Sequence, residues 1–190
     1  PSAPPSPADN QPTQAKLALG RQLFFDARLS KSARTHCNYC HNVFASGADG
    51  HAYSVGDNGK PTRRSAPSLW NVAYQTVYFW DGSATSLEEA IEKHLFDESI
   101  MSVSSETMLI DRLTRIESYR RAFIDLFGTT SMSTVSKALS VYIRSLVTPN
   151  SPFDRYIRGD KQALNEKQIR GMDLFREVEC LACHFGINFS

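Results

Sequence analysis

Residues 35–41 read Thr35-His36-Cys37-Asn38-Tyr39-Cys40-His41, with two cysteines three positions apart and a histidine directly after the second. The pattern returns near the end of the chain as Cys180-Leu181-Ala182-Cys183-His184. The two thiols of a C-x-x-C-H run can bond covalently to the vinyl groups of a haem, and the adjacent histidine can then reach the iron. The two runs therefore predict two covalently attached c-type haems, with His41 and His184 as the proximal iron ligands.

Other chemistry of paired cysteines fits this chain less well. Two C-x-x-C pairs could form a zinc site with four thiolates, but zinc does not need the histidine that follows each pair. The long segment between the pairs is also unusual for a zinc ribbon. A thioredoxin-type disulfide would need a strand–helix setting, which the sequence lacks. All four cysteines belong to the two runs, so none remains for a structural disulfide or a free reactive thiol.

Size and composition narrow the class of protein. The 190 residues suffice for one domain, or for one domain and part of another. A net charge of +1, from 21 basic and 20 acidic residues, argues against a broad basic face for nucleic acid. No apolar run approaches the roughly 20 residues of a membrane helix. Because c-type haem is normally attached outside the cytoplasm, we expect a mature periplasmic chain whose leader has been removed.

The local patterns predict an all-α fold. Residues 1–12 contain five prolines and predict an extended, poorly ordered leader. Residues 42–68 are rich in Gly, Asp, Asn, Ser and Pro and predict a long loop around a haem. Aromatic residues crowd 69–80 and could wall that haem. Apolar spacing, capping residues and the stop at Gly128 predict the helices. Their ranges are 15–25, 86–96, 106–127 with a break near 117–118, 133–147, and a last helix from 165 onward.

A haem whose distal position is filled by a protein ligand carries electrons, whereas a haem whose distal position is open can bind peroxide. The non-proximal histidines are His36, His51 and His94. His36 adjoins Cys37 and is too close in sequence to reach the distal face. His51, in the glycine-rich loop, could be a distal partner or a solvent-exposed loop residue. His94 could be a ligand, an acid–base group or an ordinary surface histidine of its helix.

The order and spacing of several motifs resemble the bacterial dihaem cytochrome c peroxidase and MauG family. The resemblance covers essentially the whole chain after the leader. It is carried by Leu19-Gly-Arg-Gln-Leu-Phe-Phe-Asp-Ala-Arg-Leu-Ser30, Cys37-x-x-Cys-His-Asn42, Ala66-Pro67, Asn71, Phe79-Trp-Asp-Gly82, Ser86-Leu-Glu-Glu89 and Gly171-Met-Asp-Leu-Phe175 before Cys180-x-x-Cys-His184.

This resemblance implies two mostly helical cytochrome c-like domains with long loops. Residues 13–149 would form the N-terminal domain with the peroxide-reacting haem. Residues 150–190 would begin the C-terminal domain with the electron-transfer haem, which is incomplete in this chain. Trp80 is similar to the tryptophan that relays electrons between the haems in the family, and it could equally be a core aromatic of the haem wall.

Three departures from the family pattern bear on the chemistry. Asp57 stands where a loop histidine caps the N-terminal haem in the peroxidases, so this haem is either open, as in MauG-like members, or capped by a residue such as His51. Ala90 replaces a family glutamine, and Ile100 aligns with the family glutamate. Glu98, two residues earlier, could supply the carboxylate that moves a proton of peroxide, with His94 as the other candidate. Ser65 replaces an asparagine that helps bind calcium, which weakens the case for that ion.

The sequence thus predicts an enzyme that reduces hydrogen peroxide with electrons from a small periplasmic cytochrome c or cupredoxin. Catalytic residues would be Glu98, His94 and Trp80. Two alternatives stay open: a MauG-like enzyme that oxidises tryptophan in a partner protein, and a non-enzymatic dihaem electron-transfer cytochrome. Arg63, Arg64 and Asp81 are either contacts of the haem propionates or solvated surface charges. Neither a nucleic-acid partner nor a transmembrane segment is expected, and a homodimer stays open.

Overall fold

The computed structural model describes residues 3–189, and within that range the chain is mostly helical, as predicted. The helices are α1 Gln14–Phe24, α2 Cys37–Cys40, α3 Leu87–Phe96, α4 Glu106–Thr114, α5 Glu117–Phe127, α6 Met132–Arg144, α7 Pro152–Ile157 and α8 Glu166–Glu177. Pairing between extended segments is confined, among these residues, to the isolated bridges Val55–Pro61 and Tyr78–Ala84. No helix in the described range is both long and apolar enough to cross a membrane.

The helix α6 forms the centre of the fold, with α1 and α3 packed against it. Its apolar face is almost fully buried, including Val135 and Leu139, and it meets Leu23 and Phe24 of α1 in one core. The α1–α6 approach is close because α1 has Gly20 at the crossing, where an added Cβ would lie 2.1 Å from the carbonyl oxygen of Ala138. Any larger side chain there would push the helices apart.

The helix boundaries follow the capping residues seen in the sequence. The side chain of Ser86 accepts the amide of Glu89 at the start of α3. Glu89 bonds Thr85 rather than the backbone of Ser86, so the predicted capping box is only half formed. The predicted helix over 106–127 is indeed broken, since α4 ends at Thr114 and α5 begins at Glu117. Gly128, with φ of 74°, ends α5 in the left-handed conformation expected of a C-terminal stop.

The N-terminal leader differs from its prediction. Residues 1 and 2 lie outside the described range, but Ala8–Asn10 form a 3-10 turn and Asn10 is fully buried. The amide nitrogen of Asn10 donates to the carbonyl of Lys137 at 3.0 Å and to the hydroxyl of Ser140 at 3.2 Å, both on α6. This part of the leader is therefore packed against α6, because the buried side-chain amide of Asn10 is satisfied by hydrogen bonds to that helix. The proline content of the leader does not predict these bonds. The division at 149/150 stays a prediction.

Candidate haem sites

The first C-x-x-C-H run forms the short helix α2, which places Cys37 and Cys40 one turn apart. The amide of His41 donates to the carbonyl of Cys37 at 2.9 Å, so the histidine closes the same turn. The ring is only 8 % exposed, and its Nδ1–H donates to the carbonyl of Pro67 at 3.0 Å. Since a carbonyl can only accept, this bond fixes the tautomer and leaves Nε2 as the nitrogen available to a metal.

The second run repeats this arrangement in a more exposed setting. Residues Cys180–Ala182 form a 3-10 turn, and the amide of His184 donates to the carbonyl of Cys180 at 2.8 Å. The Nδ1–H of His184 donates to the carbonyl of Phe189 at 3.0 Å, so Nε2 is again the nitrogen left for a metal. The ring of Phe175 lies 6.3 Å from that of His184. Both runs therefore present the same local geometry.

The residues of both runs fit a covalently attached haem. All four cysteines are free thiols, so each pair can accept the two vinyl groups of one macrocycle. Burial raises the pKa of the Cys37 thiol to about 12, which marks its surroundings as apolar. Each histidine has one ring nitrogen held by a backbone carbonyl, the usual support of a metal-binding imidazole.

His94 lies beside His41, and the two ring centroids are 5.9 Å apart. The helix α3 carries His94 on its partly buried side, in contact with the ring of Phe79. The Phe79 ring is nearly parallel to that of His94, with centroids 5.1 Å apart and planes 10° from each other. Burial, and after it the charge of the neighbouring His41, lower the pKa of His94 to about 4, so the ring is neutral at neutral pH.

The backbone at Phe79 is held in an unusual conformation. Its φ of 67° lies in the left-handed region, which a bulky residue rarely adopts. Such a conformation costs about 1–3 kcal/mol and persists only where the surroundings impose it. Here it places the aromatic ring on His94. The sequence marked Phe79 only as part of an aromatic wall, because the stacking depends on a backbone angle that no residue pattern reveals.

Glu98 and His51, the other two distal candidates, lie on exposed segments. The recorded hydrogen bonds of Glu98 are made by its backbone carbonyl, which accepts from Asn58 at 2.9 Å and from Ser102 at 2.6 Å. Glu98 lies two residues beyond the end of α3 at Phe96 and is exposed. His51 stays in the glycine-rich loop, with its amide bonded to Asp49. Of the predicted distal residues, the structure brings His94 alone next to His41.

Asp57, at the position of the family's loop histidine, is used within the loop. Its carboxylate accepts the amide of Ser32 at 2.8 Å and the hydroxyl of Ser32 at 2.5 Å. Burial opposes its ionisation, but these hydrogen bonds outweigh burial and lower its pKa. Asp57 therefore ties the loop to the segment before the first haem run.

Trp80 lies in a cleft of about 980 Å³ whose lining includes Pro67, which binds His41, and residues 186–189, which follow the second run. Phe79 and Trp80 line one part of this cleft, while Phe153 and residues 186–189, directly after the second run, line another. The indole N–H of Trp80 donates to the carbonyl of Ser65 at 3.0 Å, and the side chain is 63 % exposed. Trp80 is thus an exposed residue of the cleft whose indole is oriented by this hydrogen bond.

The remaining predicted contacts lie at the surface. Arg64 and Asp81 form an exposed ion pair at 3.4 Å, in keeping with the solvated interpretation, and Arg63 is also exposed. In the described part of the chain, no group of three or more His, Cys, Asp or Glu side chains is arranged to hold a metal ion. The backbone carbonyl of Ser65, the residue that replaces the calcium-binding asparagine, accepts from Trp80.

Comparison with protein families gives one match over most of the chain. The family described as "Di-haem cytochrome c peroxidase" matches residues 14–162. The chain is 36% identical to cytochrome c551 peroxidase of Pseudomonas aeruginosa, over 93% of this chain and 52% of that protein. It is 35% identical to the methylamine utilization protein MauG of Methylophilus methylotrophus, over 100% of this chain and 58% of that protein. The chain thus spans about half the length of the curated relatives it matches.

Solved structures show the same likeness in three dimensions. A MauG-like protein associated with microbial copper homeostasis superposes with a TM-score of 0.88 and 30% identity, over 100% of this chain and 58% of that one. The diheme peroxidase BthA from Burkholderia thailandensis superposes with a TM-score of 0.78 and 27% identity, over 92% of this chain and 50% of that one.

Proposed function

Because the chain belongs to the di-haem cytochrome c peroxidase family, we propose that it is part of a periplasmic dihaem enzyme that reduces hydrogen peroxide. The resemblance drawn from the sequence motifs is confirmed by the family match. The observation that carries the proposal is the repetition of one geometry at both runs. Each has two free thiols one turn apart and a histidine whose Nδ1–H is held by a backbone carbonyl.

The two runs differ in ways that assign them different roles. His41 is buried and has His94 and Phe79 beside it, an enclosed setting for a reaction with a small molecule. For His184, the resemblance of its run to the C-terminal haem site of the family supports an electron-transfer role. A haem bound at His41 would supply the iron that binds peroxide and the electrons that cleave its oxygen–oxygen bond. The haem at His184 would be the entry point for electrons from a small cytochrome c or cupredoxin.

Trp80 is proposed as the residue through which electrons cross the cleft. It follows Phe79 directly, and the cleft it lines also contains residues 186–189 after the second run. The hydrogen bond to Ser65 holds the indole in one orientation. A fixed aromatic ring between two redox centres offers a stepping point for a single electron, so the fold supports a relay at this position.

Proton transfer to peroxide is proposed for His94, with Glu98 as the second candidate. A general acid–base group must lie within hydrogen-bond reach of the reacting oxygen, directly or through one water. His94 is the candidate nearest to the iron position set by His41, with ring centroids 5.9 Å apart, and it would take this role once it has moved aside to admit peroxide. Glu98 lies on an exposed segment, and this segment would have to move toward the haem before Glu98 could act, a larger movement than His94 needs.

The test is a peroxidase assay on haem-loaded protein, matured in a periplasm with c-type haem attachment. Reduced cytochrome c or cupredoxin is mixed with hydrogen peroxide, and donor oxidation is followed by absorbance. Turnover that disappears in Cys37→Ala protein, with the second haem retained, would support the proposal. Two attached haems without turnover with any donor, and without a spectral response to peroxide, would overturn it and favour the electron-transfer cytochrome.

A MauG-like protein oxidase is the second candidate, favoured by the use of Asp57 within the loop. No histidine occupies the position from which the peroxidases cap the first haem, and a solved MauG-like protein superposes over 100% of this chain. The protein would be incubated with peroxide and candidate periplasmic partners, and the partners' tryptophans examined by mass spectrometry. Oxidised tryptophan formed only with the haem protein present would select this function over peroxide reduction.

A further inference from the structure

The relation between His41 and His94 points to a specific form of the first haem site. We infer that His94 is the distal ligand of the iron that His41 binds, so that the first haem is held between two histidines from α2's C-terminal end and α3. This inference rests on the proposed attachment of haem at Cys37 and Cys40. It assigns the distal ligand to a helix, and not to the loop that contains Asp57.

The separation of the rings suits one metal ion between them. A metal lies about 2.0–2.1 Å from each imidazole nitrogen that binds it, and the ring centroid lies about 1.1 Å beyond that nitrogen, so two rings facing one ion from opposite sides have centroids about 6.3 Å apart. The centroids of His41 and His94 are 5.9 Å apart, and their planes are inclined by 50°. Two imidazoles on opposite sides of a metal are free to adopt such an inclination, because each ring can rotate about its bond to the ion.

Each ring has one nitrogen held by the protein and one left over. The Nδ1–H of His41 donates to Pro67 at 3.0 Å. The carbonyl of Ala90, one helical turn earlier in α3, lies close enough to the ring of His94 to raise its pKa. Histidines that bind metals nearly always donate their second nitrogen to a carbonyl or carboxylate, which fixes the tautomer and the direction of the ligating nitrogen. His41 has this support from Pro67, and the carbonyl of Ala90 is placed to give it to His94.

The position of His94 is set by rigid neighbours. Phe79 stacks on its ring within 10° of parallel, and the left-handed backbone of Phe79 maintains that contact. The helix α3 is fixed at its start by the ion pair of Glu88 with Arg144 of α6. A ligand held this way keeps its geometry whether or not the loops move. His51, by contrast, is exposed in a loop, and Asp57 is bonded to Ser32.

Ligation by His94 has a functional consequence for the proposed peroxidase. A first haem with two histidines has no open position, so peroxide would bind only after His94 leaves, and the proton transfer proposed for His94 would follow that departure. The stacking on Phe79 opposes that movement. The resting protein would therefore react slowly with peroxide, and removal of the imidazole would open the site.

The test compares the haem-loaded protein with its His94→Ala and His94→Gln variants, using His51→Ala as the control. EPR and near-infrared magnetic circular dichroism are recorded on the oxidised and half-reduced proteins, and haem content is measured by the pyridine haemochrome. We expect the first haem of the wild type to give a low-spin signal typical of two histidine ligands. This signal should be lost in both His94 variants, replaced by a high-spin signal, and restored in His94→Ala by added imidazole.

The outcomes separate this inference from the proposed function. His94 variants with full haem content and the same spin state as the wild type would overturn the ligation and leave the peroxidase assay to judge the function. Loss of the low-spin signal in His51→Ala instead would assign the ligand to the loop and also overturn it. A low-spin signal that depends on His94, in a protein that never turns over peroxide, would sustain the ligation while the proposed function fails. His94→Gln guards against a cavity effect in the alanine variant.

Discussion

Arg144 and Glu88 form a two-point ion pair between α6 and α3, with Nη1–Oε1 and Nη2–Oε2 distances of 2.7 and 2.9 Å. Both side chains are largely shielded from solvent, at 11% and 18% exposure. Burial alone would raise the pKa of Glu88, but the hydrogen bonds from Arg144 and Ser140, with the charge of Arg144, lower it to about 2. Since α3 carries His94, this pair fixes the helix on which the first haem site depends.

Replacing Glu88 with Gln should destabilise the protein by roughly 2–4 kcal/mol, because it leaves the guanidinium of Arg144 buried without its counter-charge. The measurement is urea denaturation of the haem-loaded protein at neutral pH. The matched control is Glu117→Gln, which breaks an exposed ion pair with Arg120 and Arg121 and should cost less than about 1 kcal/mol. Equal losses in the two variants would contradict the role given to the buried pair.

The same pair predicts how stability depends on pH. The folded-state pKa of Glu88, about 2, lies below its ordinary value of 4.5, so folding favours the ionised form. This contribution is complete above pH 4.5 and is lost as the pH falls toward 2. Wild-type protein should therefore lose more free energy of unfolding between pH 5 and 2.5 than Glu88→Gln, as followed by denaturation at each pH. Parallel curves for the two proteins would rule out this linkage.

Gly20 and Gly171 are helical glycines for which the same substitution should have opposite effects. An added Cβ at Gly20 would lie 2.1 Å from the carbonyl oxygen of Ala138, so Gly20→Ala should cost about 1–3 kcal/mol by overpacking. At Gly171 in α8 nothing lies within 4 Å, so Gly171→Ala should gain about 0.5–1 kcal/mol from helix propensity. Thermal denaturation of the two variants measures both signs. Stabilisation by Gly20→Ala would mean that α1 and α6 are less closely packed than described.

Sequence reasoning reached the helices and the haem runs because their signals are local. Ser86 and Asn165 mark helix starts through bonds to residues three positions away, and each C-x-x-C-H run closes its own turn. The distal side was harder, because it depends on where α3 ends. The motif spacing predicts Glu98 as the proton-transfer carboxylate, and the structure places it two residues beyond the end of α3, in an exposed position.

Local sequence patterns also do not predict contacts between residues that are far apart in the chain. The proline content of residues 1–12 indicated disorder, whereas the buried amide of Asn10 bonds α6 more than a hundred residues away. The stacking of Phe79 on His94 likewise requires a left-handed backbone at a bulky residue, which propensity argues against. Such contacts are determined by packing, and a single sequence does not report packing directly.

Asp57→Ala should loosen the loop after the first haem run without changing the iron ligands. The carboxylate holds the amide and hydroxyl of Ser32, so its removal should cost about 1–2 kcal/mol and expose that amide. Hydrogen exchange measured by mass spectrometry should show faster exchange in the peptides around residue 32 and residues 54–60. Asp173→Ala, on the exposed face of α8, is the control and should leave these peptides unchanged. A changed haem spectrum in Asp57→Ala would mean that the aspartate acts on the iron after all.

Trp80→Phe should slow electron transfer between the two haems while leaving both attached. The phenyl ring keeps most of the packing in the cleft, but it loses the indole that donates to Ser65 and is the more easily oxidised ring. We expect peroxide turnover to fall at least about tenfold, equivalent to roughly 1.4 kcal/mol in the barrier, with unchanged haem content and spin states. Stopped-flow absorbance after peroxide addition would follow the oxidation of each haem. Trp70→Phe, a substitution in the same cleft, is the matched control and should keep wild-type rates. If both variants slowed turnover equally, the cleft would need intact packing rather than a relay at Trp80, and the electron path would have to run elsewhere.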